Sequence, residues 1–183
     1  MEKVNSRERI LEAAAIRIRK AGLDSLTGAS LADELGLAPE VIDNCFPSRA
    51  ALTEAATERA LLDGELQIDE RIGFEKDPTV AEIVDAYFHP DHIANPELGC
   101  GLCALAGDVR RANAEIQSLV TRHLRDNAAL LAQAAGGDPA AHAWSLGALS
   151  ALVGAVTLAR AVNDPALTQS ILEETRKLIA PKD

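Results

Sequence analysis

The sequence predicts an all-α protein, and three observations support this. Of its 183 residues, 34 are Ala and 24 are Leu, both strong helix formers, whereas aromatic residues make up only 3 %. Apolar residues make up 48 %, which is typical of a chain that folds around a core. Along the chain, apolar side chains recur every three or four residues, as they do on the buried face of a helix.

Three short helices are predicted at the N-terminus, over 7–21, 28–35 and 39–45. Gly22 and Gly36 follow the first two, where a left-handed residue commonly ends a helix. Thr27 is a favourable N-cap for the second helix. Pro39 suits the first turn of the third helix, because its fixed φ matches the helix and its missing N–H needs no partner there.

Six mostly longer helices are predicted after the break at Phe46-Pro47-Ser48. They cover 49–72, 77–89, 100–112, 113–135, 140–162 and 165–179. Ser48 is the predicted N-cap of the first of these. The stretch 89–99 contains two prolines and is predicted to be the least regular part of the chain. The sequence therefore predicts about nine helices, three short ones followed by six longer ones.

The second and third helices, with the Gly36 turn between them, have the pattern of a helix-turn-helix, a common DNA-binding motif. A sharp turn between helices needs a left-handed residue, which glycine adopts without steric cost. The apolar residues predicted to pack this motif against the first helix are Leu31, Leu35, Ile42 and Phe46. The sequence thus places a candidate DNA-binding module at the N-terminus.

The net charge of −10 argues at first against a nucleic-acid partner, because phosphate recognition normally requires a basic surface. The acidity is uneven, however. Residues 61–183 contain 10 basic and 18 acidic side chains, whereas residues 1–60 contain 8 and 10. Residues 1–20 contain 6 basic and 3 acidic side chains, so the N-terminal arm and first helix are locally basic. A solvated helix face has the same pattern.

Several functional classes are disfavoured. No uncharged run reaches the ~20 residues of a membrane span, and the nearest, over 143–159, is predicted to be a core or interface helix. Three Cys residues do not form a disulfide framework, which favours a reduced, cytoplasmic protein. No phosphate-binding loop, nucleophile elbow or zinc-protease motif is present, so neither an enzyme nor a cofactor is predicted.

A metal site is a weaker alternative. Cys100-x-x-Cys103 follows His89, Asp91 and His92 in the sequence, and thiolates with imidazoles are common zinc ligands. Two thiols at a helix start can also sense oxidation. One Cys-x-x-Cys pair is a weak signal, and buried cysteine is often a small apolar residue. No metal is predicted, although both metal binding and oxidation sensing stay open for Cys100 and Cys103.

A set of N-terminal motifs has the spacing of one known family. These motifs are Arg9-Ile10-Leu11-Glu12-Ala13-Ala14, Gly22, Thr27, Leu31-Ala32, Leu35-Gly36-Leu37, Pro39 and Phe46-Pro47-Ser48-Arg49-Ala50-Ala51-Leu52. Residues 7–55 thereby resemble the DNA-binding region of the tetracycline-repressor (TetR) family of transcriptional regulators. The resemblance implies a helix-turn-helix domain over 1–48 and a six-helix ligand-binding and dimerisation domain over 49–183, connected by the helix over 49–72.

The resemblance implies that the third helix is the recognition helix. The residues it places at the DNA surface are Thr27, Pro39, Glu40, Val41, Asp43, Asn44 and Arg49. The family commonly has Gly, Thr and Tyr where this chain has Glu40, Val41 and Asp43, and the two carboxylates repel phosphates. Glu40 also complements the helix dipole. Alternatively, both carboxylates can accept from a cytosine amino group, and Asn44 can pair with adenine.

The nearly uncharged helix over 140–162 predicts a dimer. A helix that is apolar on almost every face must be buried on almost every face, and a second copy provides the missing partner. The predicted interface residues are Ala143, Gly147, Ala151, Gly154, Leu158 and Leu172. Small residues on this stripe allow another helix to approach closely.

The resemblance further implies an effector cavity among the middle helices. The residues predicted to line it are Tyr87, Phe88, Leu102, Cys103, His123, Asn127 and Trp144, although core packing is the commoner role for residues of these kinds. The predicted function is a homodimeric transcriptional repressor that leaves a double-stranded DNA operator when a small-molecule effector binds. The alternative is a small-molecule-binding or interaction protein of the same fold with weak or lost DNA binding.

Overall fold

The all-α prediction is confirmed. The structure, a computed structural model, describes residues 2–73 and 77–179, with side chains from residue 6 onward. This described part contains ten α-helices, two short 3-10 helices and no strand. The α-helices are α1 (Glu2–Ala21), α2 (Gly28–Leu35), α3 (Pro39–Cys45), α4 (Arg49–Ile72), α5 (Val80–Tyr87), α6 (Pro90–Ala94), α7 (Gly101–Val109), α8 (Ala114–Ala134), α9 (Pro139–Ala161) and α10 (Pro165–Ile179).

Two features differ from the sequence prediction. Helix α1 begins at Glu2 and not at residue 7. The stretch predicted to be irregular contains α6 and a 3-10 turn over Pro96–Leu98. Helix α6 forms because Pro90 occupies its first turn and the His89 side chain accepts the N–H of Asp91 at 3.2 Å, acting as an N-cap.

The three N-terminal helices pack around a small apolar core. Ile10 and Ile18 of α1 are fully buried, as is Leu31 of α2. Ile42 of α3 and Phe46, just after it, are 2 % and 4 % exposed. The burial of Leu31, Ile42 and Phe46 confirms their predicted place in this core. Leu35, the fourth predicted residue, is only half-buried.

The chain divides into two compact units. The first contains residues 1–64 and 96–120, and the second contains residues 65–95 and 121–183. The predicted boundary after residue 48 concerns function and stays a prediction.

A buried arginine connects three parts of the first unit. Arg19 of α1 is 5 % exposed. Its guanidinium donates two hydrogen bonds of 3.1 Å to the Asp63 carboxylate, one of 3.1 Å to the Ala60 carbonyl and one of 2.6 Å to the Glu97 carbonyl. Burial lowers the pKa of Arg19, and the Asp63 carboxylate opposes that shift. This network joins α1 to α4 and to the turn over Pro96–Leu98.

Helices α4 and α7 approach closely beside this network, at two glycines. A Cβ on Gly64 would lie 2.9 Å from the Cα atom of Cys100, and a Cβ on Gly101 would lie 3.0 Å from the carbonyl oxygen of Ala60. Real Cβ atoms almost never show the first of these distances, and the second is tighter than nine in ten real Cβ contacts. The first unit therefore accepts only glycine at these positions without a shift of its helices.

The second unit contains a buried histidine. His92 is 2 % exposed, and its Nδ1 atom is hydrogen-bonded to the Tyr87 carbonyl. Arg160 of α9 donates to the backbone carbonyl of His92. Burial, with a smaller contribution from the positive charges of Arg160 and Arg71, lowers the pKa of His92 to about 4, and the hydrogen bond to the Tyr87 carbonyl opposes that shift. His92 is therefore neutral at physiological pH.

We expect replacement of Arg19 by Met to destabilise the fold by about 2–4 kcal/mol, because the carbonyls of Ala60 and Glu97 would lose their donor and Asp63 would keep only Arg59 as a cation partner among the described residues. Replacement of Lys20 by Met is the matched control, since Lys20 is the next residue of α1 and is exposed. The measurement is the free energy of unfolding in urea at one protein concentration. Equal losses in the two variants would contradict the structural role of Arg19.

We also expect stability to fall as the pH is lowered from 6.5 toward 4. The unfolded chain protonates His92 near pH 6.5, whereas the folded chain keeps it neutral until about pH 4. The stabilisation is complete above pH 6.5, and about 3 kcal/mol is lost by pH 4. The free energy of unfolding of a His92→Phe variant should depend less on pH over this range. His142→Phe changes an exposed histidine and is the control. If it reduced the pH dependence of the free energy of unfolding as much as His92→Phe does, the effect could not be attributed to His92.

Candidate functional site

Local hydrogen bonds shape the turn between α2 and α3. The Thr27 hydroxyl accepts the N–H of Ser30 at 3.1 Å and caps α2. At the other end of α2, Gly36 has φ of 63°, and the N–H of Leu37 bonds to the Ala32 carbonyl at 2.9 Å. Pro39 then opens α3. The predicted caps and left-handed turn are confirmed, and together they give a helix-turn-helix.

Helix α3 has one buried face and one exposed, polar face. Ile42 points into the core, whereas Glu40, Asp43 and Asn44 are exposed and Val41 is half-buried. No hydrogen bond or ion pair joins the carboxylates of Glu40 and Asp43 to any described residue. The outer surface of α3 thus presents two unneutralised negative charges and one amide.

The cations around this surface are fewer than the charge count indicates. Arg19 is buried with Asp63, and Arg17 forms an ion pair of 2.6 Å with Glu34. Arg7 lies over the ring of Phe46, 5.1 Å from its centroid. Arg49 is exposed, and its one hydrogen bond within the described residues goes to the Asp24 carbonyl at 3.3 Å. Arg49 is therefore the best placed of the predicted DNA contacts to meet a phosphate.

The residues predicted for the effector cavity fall in both units. Leu102 and Cys103 belong to the first unit, and the second contains Tyr87, Phe88, His123, Asn127 and Trp144. Tyr87 and Phe88 are buried with their rings edge to face, and Trp144 is half-buried.

Two of these residues form a polar cluster with a third that the sequence did not indicate. His123 Nδ1 lies 3.0 Å from Glu65 Oε1, and the Asn127 amide donates to the same oxygen at 2.8 Å. His123 is 8 % exposed. The hydrogen bond from His123 is the main cause of a lowered pKa at Glu65. Glu65 lies on α4 and Asn127 on α8, 62 positions later in the sequence. Only the fold brings these two side chains together.

The predicted dimer stripe is largely uncovered. Ala143, Gly147 and Leu158 are exposed. Ala151, Gly154 and Leu172 are half-buried. Leu146 and Leu178, on α9 and α10, are 57 % and 73 % exposed. Among the described residues, one helix, α9, has the length and apolar composition needed to cross a membrane. The core helices of soluble proteins have the same features, so this observation alone is weak evidence for a membrane span.

The cysteines show no metal-binding cluster in the described part of the chain. There, no three side chains of His, Cys, Asp or Glu come together. Cys100 is buried at the N-cap of α7, and Cys103 is half-buried. These two residues belong to the first unit, whereas His89, Asp91 and His92 belong to the second.

Comparison with known proteins gives a consistent fold. No family model matches the chain, and neither does any curated protein sequence. A TetR-family transcriptional regulator from Agrobacterium tumefaciens is similar with a TM-score of 0.79 and 20 % identity, covering 98 % of this chain and 100 % of that one. A TetR-family regulator from Cytophaga hutchinsonii has a TM-score of 0.82 and 16 % identity, with 98 % and 95 % covered.

A TetR regulator from Legionella pneumophila has a TM-score of 0.76 and 18 % identity, with 94 % of each chain covered. Such likeness spans both units and includes the helix-turn-helix. The resemblance found in the N-terminal motifs is thereby confirmed in three dimensions, and this chain has the fold of the TetR-family transcriptional regulators.

Proposed function

We propose that the protein is a cytoplasmic, homodimeric transcriptional regulator that represses by binding a double-stranded DNA operator and is released by a small-molecule effector. The observation that carries the proposal is the exposed face of α3. Ile42 and Phe46 anchor this short helix in the core, and the Gly36 turn directs its polar face outward. A helix with an exposed polar face, following the turn of a helix-turn-helix, is the usual means of reading the major groove.

The contacts proposed for DNA divide into two kinds. Thr27 and Arg49 contact phosphates, and Arg49 is the stronger candidate because its guanidinium has no carboxylate partner among the described residues. Pro39, Glu40, Val41, Asp43 and Asn44 face the bases. Carboxylates at this surface lower the affinity for every sequence through repulsion, and they favour sites with a cytosine amino group in reach.

Dimerisation supplies the second half-site. A two-fold dimer presents two copies of α3, which bind half-sites separated by about one turn of DNA, ~34 Å. The exposed stripe on α9, with Leu158 as its largest member, fits an isologous interface in which equal surfaces of two copies meet. Leu172 of α10 extends the same proposed interface.

The effector is proposed to bind in the second unit. Tyr87 and Phe88 provide apolar surface, and the cluster of Glu65, His123 and Asn127 provides hydrogen-bonding groups. An effector that binds one conformation of the dimer more tightly shifts the population away from the DNA-bound conformation. This mechanism involves no chemical step, so the proposal is not enzymatic.

We expect the purified protein to shift a specific duplex selected from the DNA flanking its gene or from a random pool. Replacing Asp43 by Asn should tighten binding of the dimer by about fivefold at low salt, because each of its two copies removes one charge ~8 Å from a phosphate, which repels it by about 0.5 kcal/mol in water. The measurement is a mobility-shift titration at several salt concentrations. The gain should shrink as salt screens the repulsion.

The matched control is Asp126→Asn on α8, which removes one exposed carboxylate from the second unit. It should leave the affinity for DNA unchanged. If no duplex were shifted specifically even at low salt, the proposal of a DNA-binding regulator would be contradicted. The alternative, a ligand-binding or interaction protein of the same fold, would then stand.

We expect a dimer in solution, with twice the monomer mass of 19.3 kDa. Replacing Leu158 by Arg should raise the dimer dissociation constant at least tenfold, because each copy would place a charge in an apolar helix contact. Light scattering after size exclusion, over a dilution series, measures the shift. Leu62→Arg changes a comparably exposed leucine, 49 % against 56 %, and should leave the dimer intact. A monomeric wild-type chain would contradict the proposed assembly.

A further inference from the structure

The first unit contains a cavity that none of the predicted effector residues lines. Its volume is about 290 Å³, near the lower end for small-molecule sites. It lies between the turn after α1, the first turns of α4 and the corner joining α7 to α8. The lining residues that matter here are Leu23, Asp24, Arg49, Thr53, Arg111 and Ile116.

The floor of this cavity is apolar and buried. Leu23 is 8 % exposed and Ile116 is 4 % exposed. Thr53 is also buried, and its hydroxyl is already bonded to the Arg49 carbonyl at 2.8 Å. The floor can therefore pack against a small aliphatic group, and such a group would not leave the Thr53 hydroxyl without a hydrogen-bond partner.

One ion pair at the cavity is already satisfied. Arg111 bonds to the Asp108 carboxylate at 2.7 Å, and the other oxygen of Asp108 accepts the N–H of Leu23 at 3.0 Å. These contacts hold the turn after α1 against the corner of α7 and α8. Both charges are used within the protein, so neither is available to a ligand without loss of these bonds.

A second pair of charges at the cavity is not satisfied. Arg49 bonds to the backbone carbonyl of Asp24 at 3.3 Å, but its guanidinium forms no ion pair with a described carboxylate. The Asp24 carboxylate likewise forms no ion pair with a described cation. Each side chain is exposed, and both line the cavity. The cavity thus combines one free cation, one free anion and an apolar floor.

We propose that this cavity binds a small zwitterion of the α-amino-acid class. Its carboxylate pairs with Arg49, its ammonium group pairs with Asp24, and its aliphatic side chain packs on Leu23 and Ile116. The positive end of the α4 dipole lies at Arg49 and favours the carboxylate on that side. A simple anion would leave Asp24 unpaired and repelling it, and a simple amine would meet the same difficulty at Arg49.

The consequence for regulation depends on the proposed function. Arg49 is also the proposed phosphate contact, and one guanidinium cannot pair fully with both a ligand carboxylate and a phosphate. An occupied cavity would therefore weaken DNA binding directly, independently of the effector residues of the second unit. Binding of the amino acid itself requires no DNA and is tested without it.

The test is an equilibrium titration of the full chain with L-alanine, L-valine and L-leucine, followed through backbone amide chemical shifts. For the tightest binder, the acid lacking the amino group and the amine lacking the carboxylate are titrated in parallel; for leucine these are 4-methylpentanoate and 3-methylbutylamine. We expect saturable binding of an amino acid and at least tenfold weaker binding of both analogues. Shifts should concentrate at residues 22–24, 49–53 and 108–116.

Variants locate the charges. Arg49→Gln and Asp24→Asn should each weaken binding at least fivefold, and Arg125→Gln, an exposed arginine of α8, should not. Ala112→Phe fills the cavity and should abolish binding while leaving the charges in place. Circular dichroism confirms that each variant is folded.

Three results would overturn the proposal. These are no saturable binding of any of the three amino acids, unchanged affinity in Arg49→Gln, or an acid that binds as tightly as its amino acid. A mobility-shift titration separates this proposal from the proposed function. Amino-acid binding without any DNA binding would refute the proposed regulator and leave the amino-acid site standing. DNA binding without amino-acid binding would refute the amino-acid site and leave the proposed regulator standing.

Discussion

The first unit depends on the burial of one charge, the guanidinium of Arg19. A buried guanidinium without partners would cost several kcal/mol, so the fold must bring acceptors to it from elsewhere in the chain. Asp63 and the carbonyls of Ala60 and Glu97 supply them. Because these acceptors belong to α4 and to the turn over Pro96–Leu98, their geometry sets where α1 lies. The backbone of α4 must then approach α7 closely, which explains why Gly64 has no side chain.

This use of charge changes how the acidity of the chain bears on function. Residues 1–20 are basic in sequence, yet two of their cations neutralise carboxylates within the first unit, Arg17 with Glu34 and Arg19 with Asp63. The net charge of −10 is therefore a poor guide to the DNA surface, and so is the local excess of +3. What matters is which charges have no partner among the residues that the structure describes. On the exposed face of α3 these are Glu40 and Asp43, and at the start of α4 the unpaired charge is Arg49.

Local features could be predicted from the sequence, and contacts between distant residues could not. Thr27 as a cap, Gly36 in a left-handed turn and Pro39 in a first helical turn depend only on near neighbours. The helix α6 was missed because its cap is His89, a residue that is not a usual N-cap. The burial of Arg19 and the contact of Glu65 with His123 depend on helices brought together by the whole fold, for which spacing along the chain contains no signal. The site residues themselves stay predictions.

Helix α9 is apolar on more than its core face, and its composition favours a protein partner over lipid. Leu149, Leu152 and Val156 already face the core, so only part of the surface of α9 needs further cover. Lipid chains adapt to any apolar surface and require no small residues. A second helix does require them, since its backbone can approach only where side chains are short. Ala143 and Gly147 are short and exposed, with Leu146 beside them and Leu158 about three turns further along the helix. Grooves lined by small residues between larger ones are the surface that another helix fits, and the proposed dimer would supply that helix.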